Sequence, residues 1–280
     1  MPKVKIVADS TCDLSKDLLE KYQIGIVPTH VSLDGNNYRD GVDIQADDIL
    51  SNYAKNKTLP KTAAVSPAEM IDYFAEFKKE CDEIVFMGIG SKFSSTYQNS
   101  VIAASEMEDV YTVDGANLSS GTGLLVLKAA ELAQDGKSGA DIVKEIEALA
   151  PKVNTSFLID TLEFLYKGGR CSALAALGAN LLQIKPCIEV KNGAMEVGKK
   201  YRGKIENALM EYVGARLEEA KVDDTRIFIT HSGCKDEVLQ AVKEQIEKTK
   251  LFKEIITTRA GCAVTTHCGP NTLGILFITK

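Results

Sequence analysis

Thr266-His267-Cys268-Gly269-Pro270 stands directly before the apolar run Leu273 to Ile278 and puts one of only three histidines in a polar stretch that closes on a Gly-Pro turn. The run reads as a buried strand and the pentapeptide as the loop that enters it. The other two histidines sit similarly. His30 closes the run Ile24 to Thr29, and His231 follows Ile227-Phe228-Ile229-Thr230 and precedes Ser232-Gly233. Ligands of open α/β sheets collect at the carboxyl ends of strands, so titratable groups at two strand exits and one strand entry predict a binding crevice. The alternative role is an imidazole that merely caps a loop or bonds backbone. His267 departs furthest from it, because Thr265, Thr266 and Cys268 crowd polar groups around it.

Outward from these runs, strand-like and helix-like patterns alternate. Val4 to Ala8 reads as a first buried strand, Ser15 to Tyr22 as a short helix and Ile24 to Thr29 as a second strand, with Asp34-Gly35 as a hairpin turn. Asp47 to Lys55 reads as a helix and Asn56 to Thr62 as a polar linker. Ser66-Pro67-Ala68-Glu69 opens the next helix with an N-cap serine, a proline at the first helical position and a glutamate that reaches back. Strands Glu83 to Met87 and Val110 to Val113 and helices 121–134 and 139–149 complete a first α/β unit with a parallel sheet. Pro151 to Asn154 is the expected boundary, which divides the chain into units 1–152 and 153–280.

The second unit starts with strand Thr155 to Ile159, a helical stretch Thr161 to Tyr166, the turn Lys167-Gly168-Gly169-Arg170 and a small-residue helix from Ser172 to Gln183. Asn192-Gly193 predicts a hairpin between Cys187 to Lys191 and Ala194 to Val197. Helices 203–220 and 235–248 and strands 226–230, 253–258 and 273–279 follow. The expected fold class is α/β: two α/β domains with a ligand cleft between them.

Composition narrows the function. The 280 residues, 45% hydrophobic and 26% charged, suffice for a large core. A formal charge of -6 argues against nucleic-acid binding, which wants a basic face. With neither a signal-peptide apolar region nor a run long enough to cross a bilayer, a cytoplasmic protein without an integral membrane segment is expected. Seven scattered cysteines form no C-x-x-C pair, so neither a disulfide framework nor a zinc site is indicated. Gly136-Lys137-Ser138 lacks the leading glycine of a P-loop, Gly88-Ile89-Gly90 lacks the third glycine of a dinucleotide fingerprint, and there is no G-x-S-x-G elbow. No cofactor and no metal are expected.

Hydroxyls at loop positions remain: Ser10 and Thr11 after the first strand, Thr62 before the capped helix, and Ser91, Ser94, Ser95 and Thr96 after strand Glu83 to Met87. Most such residues are helix caps. The last group exceeds what capping needs, and a helix N-terminus favours an anion such as a carboxylate or phosphate.

Asp9-Ser10-Thr11 with Asp13-Leu14, the segment Thr62 to Pro67, Ser91 to Gln98, Val113-Asp114 with Gly121 and Gly123, Leu162 to Leu165 with Gly168-Gly169-Arg170, and Thr266 to Pro270 resemble, in order, the successive blocks of the DegV family. The resemblance runs from the first strand to the last. It implies two α/β domains around a buried long-chain fatty acid, in a lipid-binding subunit that presents the carboxylate to the catalytic subunit of a separate ATP-dependent fatty acid kinase for acyl phosphate formation, and that makes transient contact with a membrane surface. It also implies that Thr62, Ser94 and His267 contact the carboxylate, and that Arg170 and Arg202 face the partner. Lys199, Lys200, Arg202 and Lys204 form a local basic patch, or a solvated turn, on an acidic chain. Two stretches depart from the family pattern near the headgroup: Ala63-Ala64-Val65 replaces more polar residues, and Ser95 stands where glycine is usual. The rival reading is a stand-alone hydrolase or acyltransferase with Ser94 as nucleophile, His267 as base and Asp9 or Asp114 to orient it.

Overall fold

The computed structural model describes residues 2–170, 184–219 and 221–280. Its first part runs β1 (Val4–Asp9), α1 (Lys16–Lys21), β2 (Gly25–Val27), β3 (His30–Leu33), β4 (Asn36–Arg39), α2 (Ala46–Asn56), β5 (Lys61–Ala63), α3 (Pro67–Lys78), β6 (Glu83–Met87), α4 (Thr96–Ser105), β7 (Val110–Val113), α5 (Ser120–Gln134) and α6 (Gly139–Leu149). The remainder runs β8 (Val153–Leu158), α7 (Glu163–Gly168), β9 (Ile184–Lys191), β10 (Ala194–Arg202), α8 (Ile205–Glu219), β11 (Val222–Ser232), α9 (Asp236–Thr249), β12 (Glu254–Arg259), α10 (Cys262–Cys268) and β13 (Thr272–Thr279). The expected helix Ser172 to Gln183 lies outside the described residues.

The first sheet, in the order β2-β1-β6-β7, is parallel throughout, as the alternation predicts. Its strands are buried on both faces. Ile6 and Ala8 pack towards α5 and α6, and Val7 between them packs towards α3 and α4 with Phe74 and Phe86. The start of α3 forms as read, with Ser66 and Glu69 bonded reciprocally and Pro67 at the first helical position.

Helix α5 is the shared layer. Every residue from Ser120 to Leu127 is buried, which marks a helix covered on all sides. It contacts β1 on one flank and β8 and β13 on the other, and Phe228 and Leu276 of the second sheet join Val85 and Met87 of the first in one core. Gly121 permits the approach, because a Cβ there would lie 2.1 Å from Asn117 Oδ1 and 2.3 Å from Thr155 Oγ1.

The second sheet, β10-β9-β8-β13-β11-β12, is mixed: only β11 and β12 run parallel. Helices α8 and α9 cover its outer face around Tyr212, Ile229 and Phe277. The turns Asn192-Gly193 and Asp34-Gly35 both have positive φ at both positions, 50° and 73° in the first and 50° and 83° in the second, as tight hairpins require.

Several local readings need correction. Lys61 and Thr62, read as the end of the linker, form strand β5 with Ala63, which joins β4 and β3 in a small antiparallel sheet, so Thr62 sits on a strand opposite Val31 and not in a loop. His30 opens β3 and does not close the preceding strand, and His231 lies inside β11. The predicted entry loop around His267 is the seven-residue helix α10, which ends at Gly269. The turn read at Lys167-Gly168 belongs to α7, whose left-handed end is Gly169 at φ 67°.

Candidate functional site

A cavity opens where β5, the loop before α4, α7 and α10 meet. Its polar lining is Thr11, Thr29, Thr62, Ser94, His267 and Arg170. Its apolar lining includes Ile89, Phe93, Leu118, Met195, Val264 and Cys268. Phe93, Leu118 and Cys268 share a buried cluster with Phe157 and Leu165, so the apolar lining is continuous with the core.

Thr62 and His267, 205 residues apart, meet directly. Thr62 Oγ1 lies 2.9 Å from His267 Nε2. Burial, reinforced by the positive charge of Arg170, pushes the His267 pKa down to about 4, so the ring is neutral at pH 7. A neutral imidazole has one donor and one acceptor nitrogen, and Nδ1 is buried with no hydrogen-bond partner among the described residues. If Nε2–H donates to Thr62 Oγ1, the threonine keeps its own proton for the cavity. If Nε2 accepts, that proton is spent. The ring is packed in place by α7: a Cβ on Gly168 would lie 2.2 Å from Nδ1.

Ser94 presents a second hydroxyl. Its Oγ accepts the Thr96 N–H at 3.2 Å and lies 2.9 Å from Thr96 Oγ1, which leaves the serine proton available once Thr96 donates. It thereby caps α4, whose own N-cap Ser95 makes no side-chain cap bond. Ser95 has φ -77°, a conformation open to any residue, so its place at a usual glycine position costs the backbone nothing. Ala63 and Ala64 line the cavity wall.

The geometry separates the remaining candidates. Arg170 lines the cavity and donates from Nη1 to the Gly168 carbonyl at 2.6 Å. Arg202 is on the exposed edge strand β10 opposite Ile184, away from the cavity lining, as are exposed Lys199 and Lys200; the basic patch is mostly strand and not turn. His30 pairs with Glu69 at 3.0 Å, and His231 faces Arg259 across β11 and β12. The three-histidine crevice therefore reduces to His267 alone. A hydrolytic triad does not form either. Ser94 bonds Thr96 and His267 bonds Thr62, while Asp9 accepts from Thr11 and Ile89 and Asp114 from Ser91 and Ala116. Among the described residues no carboxylate orients His267.

Sequence reasoning missed the lining residues Thr29, Leu118, Met195 and Val264. Their signal is weak, since each looks like an ordinary strand, loop or core residue until the chain folds.

The comparisons with known proteins agree along the whole chain. Residues 3–280 match the model of a family described as uncharacterised proteins of the DegV family. A DegV domain-containing protein of Clostridium acetobutylicum is 36% identical over 283 residues, covering all of both chains. The solved structure of a DegV-family protein of Thermus thermophilus, described for its fatty acid binding, superposes with a TM-score of 0.91 at 30% identity over 99% of this chain and 100% of that one. A stearic acid-binding protein of Eubacterium ventriosum gives 0.88 at 28% identity over 99% of this chain and 98% of the other. Structures of this family thus hold fatty acids, and on the family match and the sequence identity the chain belongs to the DegV family.

Proposed function

We propose that this protein binds a long-chain fatty acid, with its carboxylate at Thr62 and Ser94 and its tail along the apolar lining of the cavity. The observation that carries the reading is that two hydroxyls, Thr62 and Ser94, each able to offer a proton, line one cavity with apolar Ile89, Phe93, Leu118 and Met195. A buried carboxylate needs donors, and in the Nε2–H form neutral His267 frees the Thr62 proton for it. Each methylene removed from water contributes about 0.8 kcal/mol, so a long chain supplies on the order of 10 kcal/mol before ordering costs. The ligands of the related Thermus and Eubacterium proteins support the same class of molecule.

The finer reading is a carrier that presents this carboxylate to a separate ATP-dependent kinase, which makes the acyl phosphate, with Arg170 and Arg202 on the partner's side. In this role the protein works in the cytoplasm without a cofactor or intrinsic turnover, touches membrane surfaces only transiently to load lipid, and divides near residue 152 into two units. Among the described residues no helix is long and apolar enough to span a bilayer, which fits surface contact and not insertion. Native mass spectrometry of purified protein tests the carrier: a retained fatty acid is expected, and an empty site that also refuses added fatty acid would contradict it. Arg202→Ala should weaken coupling to the kinase and leave lipid content nearly intact.

A further inference from the structure

Helix α10 carries His267, yet among the described residues no side chain adjacent in sequence caps the amides at its start. Its N-cap is Gly261, which has no side chain to offer, and the helix is only seven residues long. The amides at its first turn are satisfied from the other end of the sequence. Asp40 Oδ1 accepts the Cys262 N–H at 2.8 Å and Asp40 Oδ2 the Ala263 N–H at 3.1 Å, while Asp13 Oδ1 accepts the Gly261 N–H at 2.8 Å. Both carboxylates are themselves tied down. Ser10 Oγ donates to Asp40 at 3.1 Å, and Ser119 Oγ donates to the other oxygen of Asp13. Asp40 and Asp13 are 2% and 5% exposed, so water does not supply these bonds instead.

Asp40 directly follows β4, in the small sheet that also carries Thr62 on β5. The two partners of the Thr62–His267 hydrogen bond therefore sit on two bodies that Asp40 joins. We propose that Asp40, seconded by Asp13, is a positioning residue for the headgroup site: by capping α10 from a distant part of the chain it sets where His267 stands against Thr62. Gly261 belongs to the same device. Its φ of -67° suits any residue, but a Cβ there would approach both carboxylates at 3.2 to 3.4 Å. The role rests on the headgroup reading above, and its test has a readout that does not depend on ligand.

Asp40→Ala removes both bonds, and Asp40→Asn keeps one accepting oxygen. Ile146→Ala, a fully buried core residue on α6, serves as a control for loss of stability alone. In ligand-free protein, the His267 ring is followed by NMR against pH. The expected result is a His267 titration moved from about 4 towards the ordinary histidine value in Asp40→Ala, less in Asp40→Asn, and not at all in Ile146→Ala. The palmitate dissociation constant should rise in the same order, on the order of tenfold for Asp40→Ala. An unmoved His267 titration in both Asp40 variants, or an equal shift in Ile146→Ala, overturns the proposal. If Asp40→Ala does not fold, Asp40→Asn and Gly261→Ala decide it by the same readout. If wild-type protein binds no palmitate, the headgroup reading fails, and the His267 titration still judges the clamp.

Discussion

His231 and His267 are alike in most local respects and differ in what they can do. Burial holds both near a pKa of about 4, a nearby arginine pushes each further down, and each has a buried Nδ1 with no hydrogen-bond partner among the described residues. His231, inside β11, reaches a smaller pocket beside Ser232 and Thr272, which shares Leu118, Val264 and Cys268 with the first cavity, and lies against Arg259 of the neighbouring strand. His267 shares a hydrogen bond with a hydroxyl that lines the larger cavity. A perturbed pKa therefore does not mark the site; the hydroxyl partner on the other nitrogen does.

Displacement of the His267 ring should have the largest effect. Gly168→Val places a side chain where Nδ1 now sits, so it should lower the melting temperature, with a cost of about 1 to 3 kcal/mol or more, and abolish palmitate binding. Wild-type affinity in a folded Gly168→Val protein would separate His267 from the ligand.

Acid should sharpen the likeness of the two rings. A histidine whose folded pKa is about 4 and whose ordinary value is 6.5 takes up its proton more readily when unfolded, so its neutral burial contributes stability above 6.5 that is lost as pH falls towards 4. Each ring should lose on the order of 3 kcal/mol across that window. Buried Asp9 and Asp13, pushed up to about 6 and about 8, act in the opposite sense: their stability is present below about 3.8 and is lost as pH rises through the raised values. Denaturant titrations of wild type against His231→Gln isolate one histidine, and the difference should shrink between pH 6.5 and 4. A constant difference would mean that His231 is already protonated or never buried.

The rings should part company in binding. His267→Ala should weaken palmitate by roughly 1 to 2 kcal/mol, since Thr62 loses its orienting partner, whereas His231→Ala should alter melting alone. Equal loss in both would make the effect general destabilisation. The smallest expected effect belongs to Arg170→Ala, which should let the His267 titration rise, by less than exposure of the ring would, as NMR can follow.

Much of this arrangement is legible in the sequence where local physics decides it. The capping box at Ser66 and Glu69, the hairpins at Asp34-Gly35 and Asn192-Gly193, and the buried strands around Val7 and Ile229 each follow from residues within a few positions of one another. The failures are long-range. β5 is three residues with no apolar pattern, held by its pairing to β3. α10 has no cap of its own and reads as a turn before Gly269-Pro270, because its cap is Asp40, 222 residues away. Thr62, Ser94 and His267 carry a family resemblance, but their convergence depends on those same distant contacts.

A bound carboxylate should take its hydrogen bonds from Thr62 and Ser94. Palmitate affinity and melting temperature of Thr62→Val, Ser94→Ala and the double variant test it most directly. Each single change should weaken binding by roughly 1 to 3 kcal/mol with melting nearly unchanged, and the double change by more than either. Wild-type palmitate affinity in the folded double variant would contradict the account.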